Sequence, residues 1–309
     1  MKYLFGPVNS RRLGISLGVD LVPYKTCSLN CVYCECGDTT EITSTIAEYV
    51  LTDDVISELD AYLTGSPRLD AITFSGSGEP TLHAGIGRLI SHLKDTYPRY
   101  KIAVLTNGTL FWKPDVRKSL SRADVVIPSL DAVSRDIFFK IARPAPGITP
   151  ELVVEGLAAF RKEYGGLMFL EIFIVPGLND SEAELIKLRE SCSYIRPDKI
   201  QINSIDRPGS EDWVEPSEHE KLLDIKEFFK PLDVEIIGKP ANRQFADKHV
   251  SNVTKSIIAV LRRRPSTMED LCTSLGADAA TVKKTVEAMM EAGMIAVAKL
   301  ERGEFYRMA

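Results

Sequence analysis

The chain has 309 residues, 44% hydrophobic and 26% charged, with a formal net charge of −5 and a sequence pI near 5.6. Those fractions exclude disordered, collagen-like and mucin-like chains and leave room for one large core plus a smaller unit. The acidic balance excludes a generic polyanion binder while allowing a local basic face, and no segment reaches the roughly 18 to 20 apolar residues that cross a bilayer.

The N-terminal stretch turns polar at Asn9-Ser10-Arg11-Arg12, too soon for the apolar core of a signal peptide, so a cytoplasmic location and no membrane contact are expected. Leu17–Val22 reads as the first strand and Asp53–Leu63 as the first helix. Short β-branched runs then alternate with amphipathic ones. Strands are expected at Ala71–Ser75, Ile102–Thr106, Val125–Ser129, Phe169–Val175, Ile200–Ile205 and Val234–Ile237. Helices are expected at Ile86–Asp95, Pro114–Ser121, from an N-cap at Thr149 to about Glu163, at Glu182–Cys192 and at His219–Phe229. This repeated βα unit makes the fold α/β, a partial (β/α)6 TIM-like barrel with its chemistry where strand C-termini enter loops. A doubly wound open sheet is the competing topology.

The polar stretch Lys239–Ser251, with Pro240, Asn242 and Arg243, marks a boundary. It gives a barrel over 1–240, a linker over 241–250 and a second unit over 251–309. That unit reads as helices Asn252–Arg264, Thr267–Leu275 and Asp278–Ala292, then strands Met294–Leu300 and Phe305–Met308 joined by a turn at 301–304. Three helices followed by a hairpin is the order of a winged helix-turn-helix. Residues 249–309 hold nine Lys and Arg against seven Asp and Glu. The would-be recognition helix offers Lys283 and Lys284 against Glu287 and Glu291, thin for phosphate contacts. Arg262–Arg264 is more basic, yet a helix C-terminus favours cations for reasons unrelated to nucleic acid. Docking of protein or substrate is therefore expected ahead of nucleic acid.

Four of the six cysteines crowd into Cys27–Cys36, while Cys192 and Cys272 stand alone and read as small buried hydrophobes. Cys27-Ser-Leu-Asn-Cys31-Val-Tyr-Cys34 is C-x3-C-x2-C, just after the first strand. Three thiolates in so short a loop suit one side of a 4Fe–4S cube and leave its fourth iron open to a cofactor or substrate. Structural zinc is the alternative, but zinc usually takes four ligands in two separated pairs, and no second pair follows. Cys36 as a fourth ligand would close the cluster, so it is expected beside the site as a non-ligand.

This spacing, with Tyr33 just before the third cysteine, resembles the motif of the radical S-adenosylmethionine superfamily. The resemblance extends from Phe5-Gly-Pro-Val-Asn-Ser-Arg-Arg-Leu-Gly through Ser16-Leu-Gly-Val-Asp to Val22-Pro-Tyr-Lys-Thr-Cys27, and it points to a branch related to the wyosine-synthase group. It implies that Cys27, Cys31 and Cys34 ligate the cluster. S-adenosylmethionine on the open iron would then be cleaved to a 5′-deoxyadenosyl radical that abstracts hydrogen from a substrate. A low-potential donor of flavodoxin or ferredoxin type would supply the electron. Ser77, Gly78 and Glu79 match a Gly-Gly-Glu-like motif holding the methionine amino group, with Ser77 in place of the first glycine. Asn107, Ser129 and Asp131 fall where relatives place polar residues near the ribose and carboxylate. Ile174 and Val175 fall where the adenine is contacted, and Tyr33 belongs to the same cofactor site.

The substrate is open among a small molecule, a peptide or protein, and tRNA. Arg11, Arg12, Lys25, Arg143 and Arg207 are candidates for holding an anionic substrate, with solvated surface charge as the alternative for each, and Gln201 and Asn203 are further candidates to face the cavity. A different class of function is also open: a redox- or oxygen-sensing iron–sulfur regulator that binds DNA through the winged helix. A sensor has no need of the polar set at the strand ends, which is the feature that separates the two.

Overall fold

The computed structural model describes residues 1–238, 253–300 and 303–309. The expected linker 241–250 and part of the last hairpin's turn lie outside the described residues.

The chain opens with an antiparallel pair, β1 (Leu4–Ser10) and β2 (Gly14–Val19), followed by the two-residue strands β3 (Thr26–Cys27) and β4 (Glu41–Ile42). Alternation then sets in: α1 (Thr52–Leu63), β5 (Ala71–Phe74), α2 (Ile86–Thr96), β6 (Lys101–Thr106), α3 (Pro114–Ser119) and β7 (Val125–Pro128). It continues with α4 (Arg135–Ala142), α5 (Pro150–Glu163), β8 (Leu167–Ile174), α6 (Glu182–Ile195), β9 (Lys199–Ser204), α7 (His219–Phe228) and β10 (Val234–Ile236). These strands form one sheet in the order β1-β2-β5-β6-β7-β8-β9-β10. Every pairing after β1–β2 is parallel. A doubly wound sheet reverses its strand order at a switch point. Here the order never reverses, so the sheet curls one way, as a partial TIM-like barrel.

The helices pack on the outer face for the reason their sequences announce. Helix α2 buries Ile86, Leu89, Ile90 and Leu93, one stripe at helical spacing. Helix α5 starts where Thr149 accepts the Leu152 N–H with Pro150 in the first turn, both ordinary start signals. Cys192 is fully buried in this layer.

The start of the chain and one helix depart from expectation. The first barrel strand is β2, three residues earlier than expected, and β1 pairs with it across a bulge between Phe5 and Val8. Gly18 makes that pairing workable: a Cβ there would sit 2.1 Å from the Phe5 ring, which lies across it. Helix α4 also went unexpected, because its apolar face is only Phe138, Ile141 and Ala142 within eight residues.

The C-terminal part holds α8 (Val253–Leu261), α9 (Met268–Leu275), α10 (Ala279–Glu291) and the antiparallel strands β11 (Ile295–Leu300) and β12 (Gly303–Met308). Its own core includes Ile257, Leu271, Val282 and Val286, with Cys272 packed at the edge. Thr267 and Asp270 form a capping box at the start of α9. This unit touches the barrel through polar contacts. Arg207 bonds to Asp270 (2.6 Å) and to the Pro265 carbonyl (3.0 Å). Arg263 lies over the Phe5 ring and 3.7 Å from Asp20.

Candidate functional site

The loop carrying the three cysteines leaves β3 at the C-terminal ends of the barrel strands and is strapped on both sides by backbone hydrogen bonds. On one side the Asn30 and Val32 N–H groups donate to the carbonyls of Ala142 and Ile141, and the Ala145 N–H donates to the Ser28 carbonyl. On the other, the Ser210 hydroxyl donates to the Cys31 and Val32 carbonyls, and the Glu211 N–H to Val32. Gly209 presses so close that a Cβ would stand 3.0 Å from the Tyr33 carbonyl group. Underneath, Val32 packs with Ile141, Phe173, Val175, Ile205 and Val214. A loop bonded along its backbone and seated on apolar side chains holds its thiols in fixed positions.

Each thiol has a distinct surrounding. Burial pushes the Cys27 thiol up to about 12, with Glu79 adding to the effect. Burial, then Cys34, Asp131 and Cys27, raises Cys31 well above the ordinary thiol range. Cys34 goes the other way, to about 5, with the neighbouring Cys36 thiol as the largest cause and Lys25 lowering it further. The Lys25 ammonium donates to Cys34 Sγ at 3.0 Å and is itself only 2% exposed. Lys25, a candidate anion binder in the sequence, is therefore committed to the cysteine loop and does not face the cavity. Cys36 Sγ turns toward the C-terminal unit and donates to the Arg263 carbonyl at 2.8 Å.

The ends of β5 and β6 are bonded directly to this loop. Gly78 is needed there because a Cβ would meet the Thr26 carbonyl oxygen at 2.1 Å and Val22 at 2.6 Å. The Glu79 N–H donates to that same carbonyl at 3.1 Å. Ser77 bonds through its N–H and hydroxyl to Asp20. The Glu79 carboxylate is 2% exposed and takes four donors. Oε1 accepts from the Thr81 N–H (2.9 Å) and from the hydroxyls of Thr81 and Thr106 (2.6 Å each), and Oε2 accepts from the Asn107 N–H (2.7 Å). A carboxylate offers about four lone-pair sites, two per oxygen, so Oε1 is saturated while Oε2 carries a single donor. Through these bonds Glu79 ties the β5 turn to the end of β6. Asn107 is likewise engaged, donating to Ser28 Oγ (2.8 Å) and toward Cys27 Sγ (3.5 Å) while accepting from Thr109.

At the ends of β7 and β8 a second cluster forms. The Tyr33 ring stacks on Phe173 with centroids 3.8 Å apart, and its hydroxyl donates to Asp131 Oδ2 at 2.5 Å. Asp131 Oδ1 accepts the Phe173 N–H at 2.8 Å, and Asn179 Nδ2 donates to the Asp131 carbonyl. Burial raises the Asp131 carboxyl to about 6. Asp131, Ser129 and Asn107 line one small cavity beside Leu29, so the polar strand ends of β6 and β7 do meet. Ile174 does not belong with them. It is fully buried with Leu170 and Ile172 in the layer under the helices. Alternation along β8 turns Phe173 and Val175 to the opposite, concave face, so Phe173 is the aromatic neighbour that sequence reasoning missed. Its signal was the parity set by Glu171, the one charged residue within β8.

A larger cavity fills the barrel lumen, reaching from Cys34 and Tyr33 past Glu171 and Asn203 to Arg11, Arg12, Arg207 and Arg264. Three of the five candidate cations are here. Arg143 is not: it pairs with Glu211 at 2.5 Å, outside the lumen, and helps hold the cysteine loop's strap. Asn203 lines the lumen as expected, whereas Gln201 is bonded to Glu235 on β10. Arg264 was missed because it arrives from the C-terminal unit.

A model of the Radical SAM superfamily matches residues 21–189. A protein of Brachyspira hyodysenteriae named GTPase Obg is 35% identical over 295 residues, covering 95% of this chain and 43% of that protein. A UPF0026 protein of Helicobacter pylori strain J99 is 33% identical over 305 residues, covering 98% of this chain and 96% of that one. The structure of Streptococcus suis SuiB bound to S-adenosylmethionine superposes with a TM-score of 0.54 at 15% identity, covering 72% of this chain and 50% of SuiB, a likeness of fold. The chain thus spans less than half of the Brachyspira protein and half of SuiB. The strapped loop of spaced thiols at the strand ends falls inside the matched stretch, and the chain belongs to the radical SAM superfamily.

Proposed function

We propose that this protein is an enzyme that reductively cleaves S-adenosylmethionine and uses the resulting radical to take hydrogen from a substrate held in the barrel lumen. One observation carries the reading: a strapped loop of three thiols is bonded to the ends of β5 and β6, and one of the three, Cys34, lines the lumen cavity. The donor set suits a cube better than a single ion. Zinc usually takes four protein ligands in two separated pairs, whereas this loop offers three cysteines in one run, which suits one thiolate on each of three irons of a cube. Cys27, Cys31 and Cys34 would hold a 4Fe–4S cluster, which with bound S-adenosylmethionine supplies the electron transfer and the 5′-deoxyadenosyl radical.

The residues around it divide the remaining work. Lys25 offsets negative charge on the loop, and Glu79 and Asn107 fix the strand ends. Backbone at Ser77 and Gly78 would serve the methionine amino group, with Asn107, Ser129 and Asp131 on the carboxylate and ribose side. Tyr33 and Val175, joined by Phe173, would form the apolar wall against the adenine and keep water from the site. A low-potential flavodoxin- or ferredoxin-type protein would be the electron donor. Location in the cytoplasm fits this chemistry, and no described helix is long and apolar enough to cross a membrane.

The C-terminal unit, with the order of a winged helix over 251–309, serves docking in this reading. Arg263 and Arg264 are turned toward the barrel, and Lys283 lies 3.9 Å from Glu287, which leaves little for phosphates. The comparisons lend no support to a DNA-binding redox regulator.

The test is anaerobic reconstitution, reduction with dithionite and addition of S-adenosylmethionine, with 5′-deoxyadenosine quantified beside iron and sulfide. About four irons per chain and slow 5′-deoxyadenosine formation are expected, both lost in Cys27→Ala, Cys31→Ala and Cys34→Ala. Cleavage retained in any of the three variants, or zinc in freshly isolated anaerobic protein, would overturn the proposal.

A further inference from the structure

We infer that the barrel lumen holds a small, multiply charged oxyanion between Arg11, Arg12, Arg207 and Arg264, and that this anion is the handle by which the substrate is held beneath the cysteine loop. The inference rests on the radical reading above and narrows its substrate class.

The four guanidiniums come from three separate parts of the chain: the β1–β2 turn, the segment after β9 and the end of α8 in the C-terminal unit. All four line one cavity, whose carboxylates are Glu35 and Glu171. Arg12 is paired with Glu171 through Nη2, yet its buried Nε has no hydrogen-bond partner among the described residues. Arg207 is satisfied by Asp270 and lies 3.6 Å from Glu35. Among the described residues Arg11 reaches only the neutral Asn203 amide oxygen, at 3.4 Å. Among the described residues no carboxylate lies within ion-pair distance of the guanidiniums of Arg11 or Arg264.

The result is an excess of cations in a confined space. Burial, then Arg207, holds Arg264 down to about 10, and burial followed by Arg11 holds Arg12 down to about 9. Like charges crowded away from water are costly unless an anion enters among them. The planar fork of arginine suits phosphate and carboxylate oxygens alike. One carboxylate of S-adenosylmethionine would occupy a single guanidinium, so it does not account for four. Because the cavity also touches Cys34, Tyr33 and Phe173, a molecule anchored on the arginines would present its carbon skeleton to the cluster side. The C-terminal unit then contributes directly to the anion site, supplying Arg264 and orienting Arg207 through Asp270.

The test uses the full-length, anaerobically reconstituted chain and titrates it calorimetrically at low ionic strength with inorganic pyrophosphate and, separately, citrate. One site per chain is expected. Arg264→Gln and Arg11→Gln should each weaken binding about tenfold or more, the effect of losing a charge-assisted contact. Arg122→Gln, at an exposed pair with Asp95, should leave it unchanged. Arg11→Gln guards against loosening of the C-terminal unit in Arg264→Gln. Tighter binding of pyrophosphate identifies a phosphate handle and tighter binding of citrate a carboxylate one, and either supports the site. The inference is overturned if wild type binds neither probe, if both variants bind like wild type, or if S-adenosylmethionine displaces the probe one for one. It is also overturned if a short RNA outcompetes both probes through the same arginines. Iron content and 5′-deoxyadenosine are measured on the same preparations. Cleavage without probe binding refutes this inference alone, and arginine-dependent probe binding without cleavage refutes the radical reading alone.

Discussion

Glu79 separates two ideas about the turn after β5, a ligand for the cofactor or a fastener for the fold, and its removal has a calculable cost. In Glu79→Ala the hydroxyls of Thr81 and Thr106 can rotate to new partners. The N–H groups of Thr81 and Asn107, now bonded at 2.9 and 2.7 Å, cannot. Each orphaned buried donor costs about 1–3 kcal/mol, so the variant should lose about 2–6 kcal/mol. Glu79→Gln keeps one acceptor oxygen for the three donors on Oε1 but turns an amide N–H toward the Asn107 N–H, a loss of about 1–3 kcal/mol. Urea unfolding of the cluster-free chain, followed by tryptophan fluorescence, reads the barrel alone, because both tryptophans, Trp112 and Trp213, lie within it. With a slope of about 2–3 kcal/mol per molar urea, the Glu79→Ala midpoint should fall by roughly 0.7–3 M, and that of Glu79→Gln by about half as much. An Ala variant that unfolds at the wild-type midpoint while losing affinity for S-adenosylmethionine would refute the fastening role and restore Glu79 as a ligand.

Three further outcomes are expected. Gly78→Ala places a Cβ against the Thr26 carbonyl at 2.1 Å, so the strand carrying Cys27 must move; iron and sulfide per chain after reconstitution should fall by more than half, and full loading would contradict the close-packing argument. Cys36→Ala should keep full iron and sulfide, since its Sγ is directed to the Arg263 carbonyl; a drop toward three irons would make Cys36 a ligand. Asp131 titrates near 6 when folded against about 3.9 unfolded, so the folded chain binds more protons between those values. Its contribution should therefore lower stability as pH rises from about 4 to 6, by roughly 3 kcal/mol in all, and stay level above. Asp131→Asn should flatten that part of the pH profile measured by urea unfolding, and an unchanged slope would show that Asp131 is not its source.

The C-terminal unit takes on meaning only through its contacts. Arg262–Arg264 looks in the sequence like a basic surface. In the structure Arg263 lies against Phe5 and Asp20, and Arg264 lines the lumen. Cys36, which stands beside the cysteine motif without belonging to it, meets the same unit at the Arg263 carbonyl.

Local signals along the chain were enough to determine the alternation of strands and helices, the three-thiol loop and its position after an early strand, and the polar residues that close β5, β6 and β7. Each depends on neighbours a few residues away: apolar spacing at Ile86, Leu89, Ile90 and Leu93, a cap at Thr149, thiols spaced for one loop. Which way each strand faces was not decided locally. In β8, Met168, Leu170, Ile172 and Ile174 alternate with Phe169, Glu171 and Phe173, and both sets are largely apolar. Only packing against the helices sends Ile174 outward and sets Phe173 on Tyr33. The same holds for charge. Lys25, Arg11, Arg143 and Arg207 are alike as residues, yet Lys25 is bonded to Cys34, Arg143 is spent on Glu211, and Arg11 and Arg207 meet Arg264 from more than 50 residues away. Periodicity fixes the face a residue shares with its near neighbours, whereas the partner a buried charge finds depends on which distant segment the closed sheet and the docked C-terminal unit bring against it.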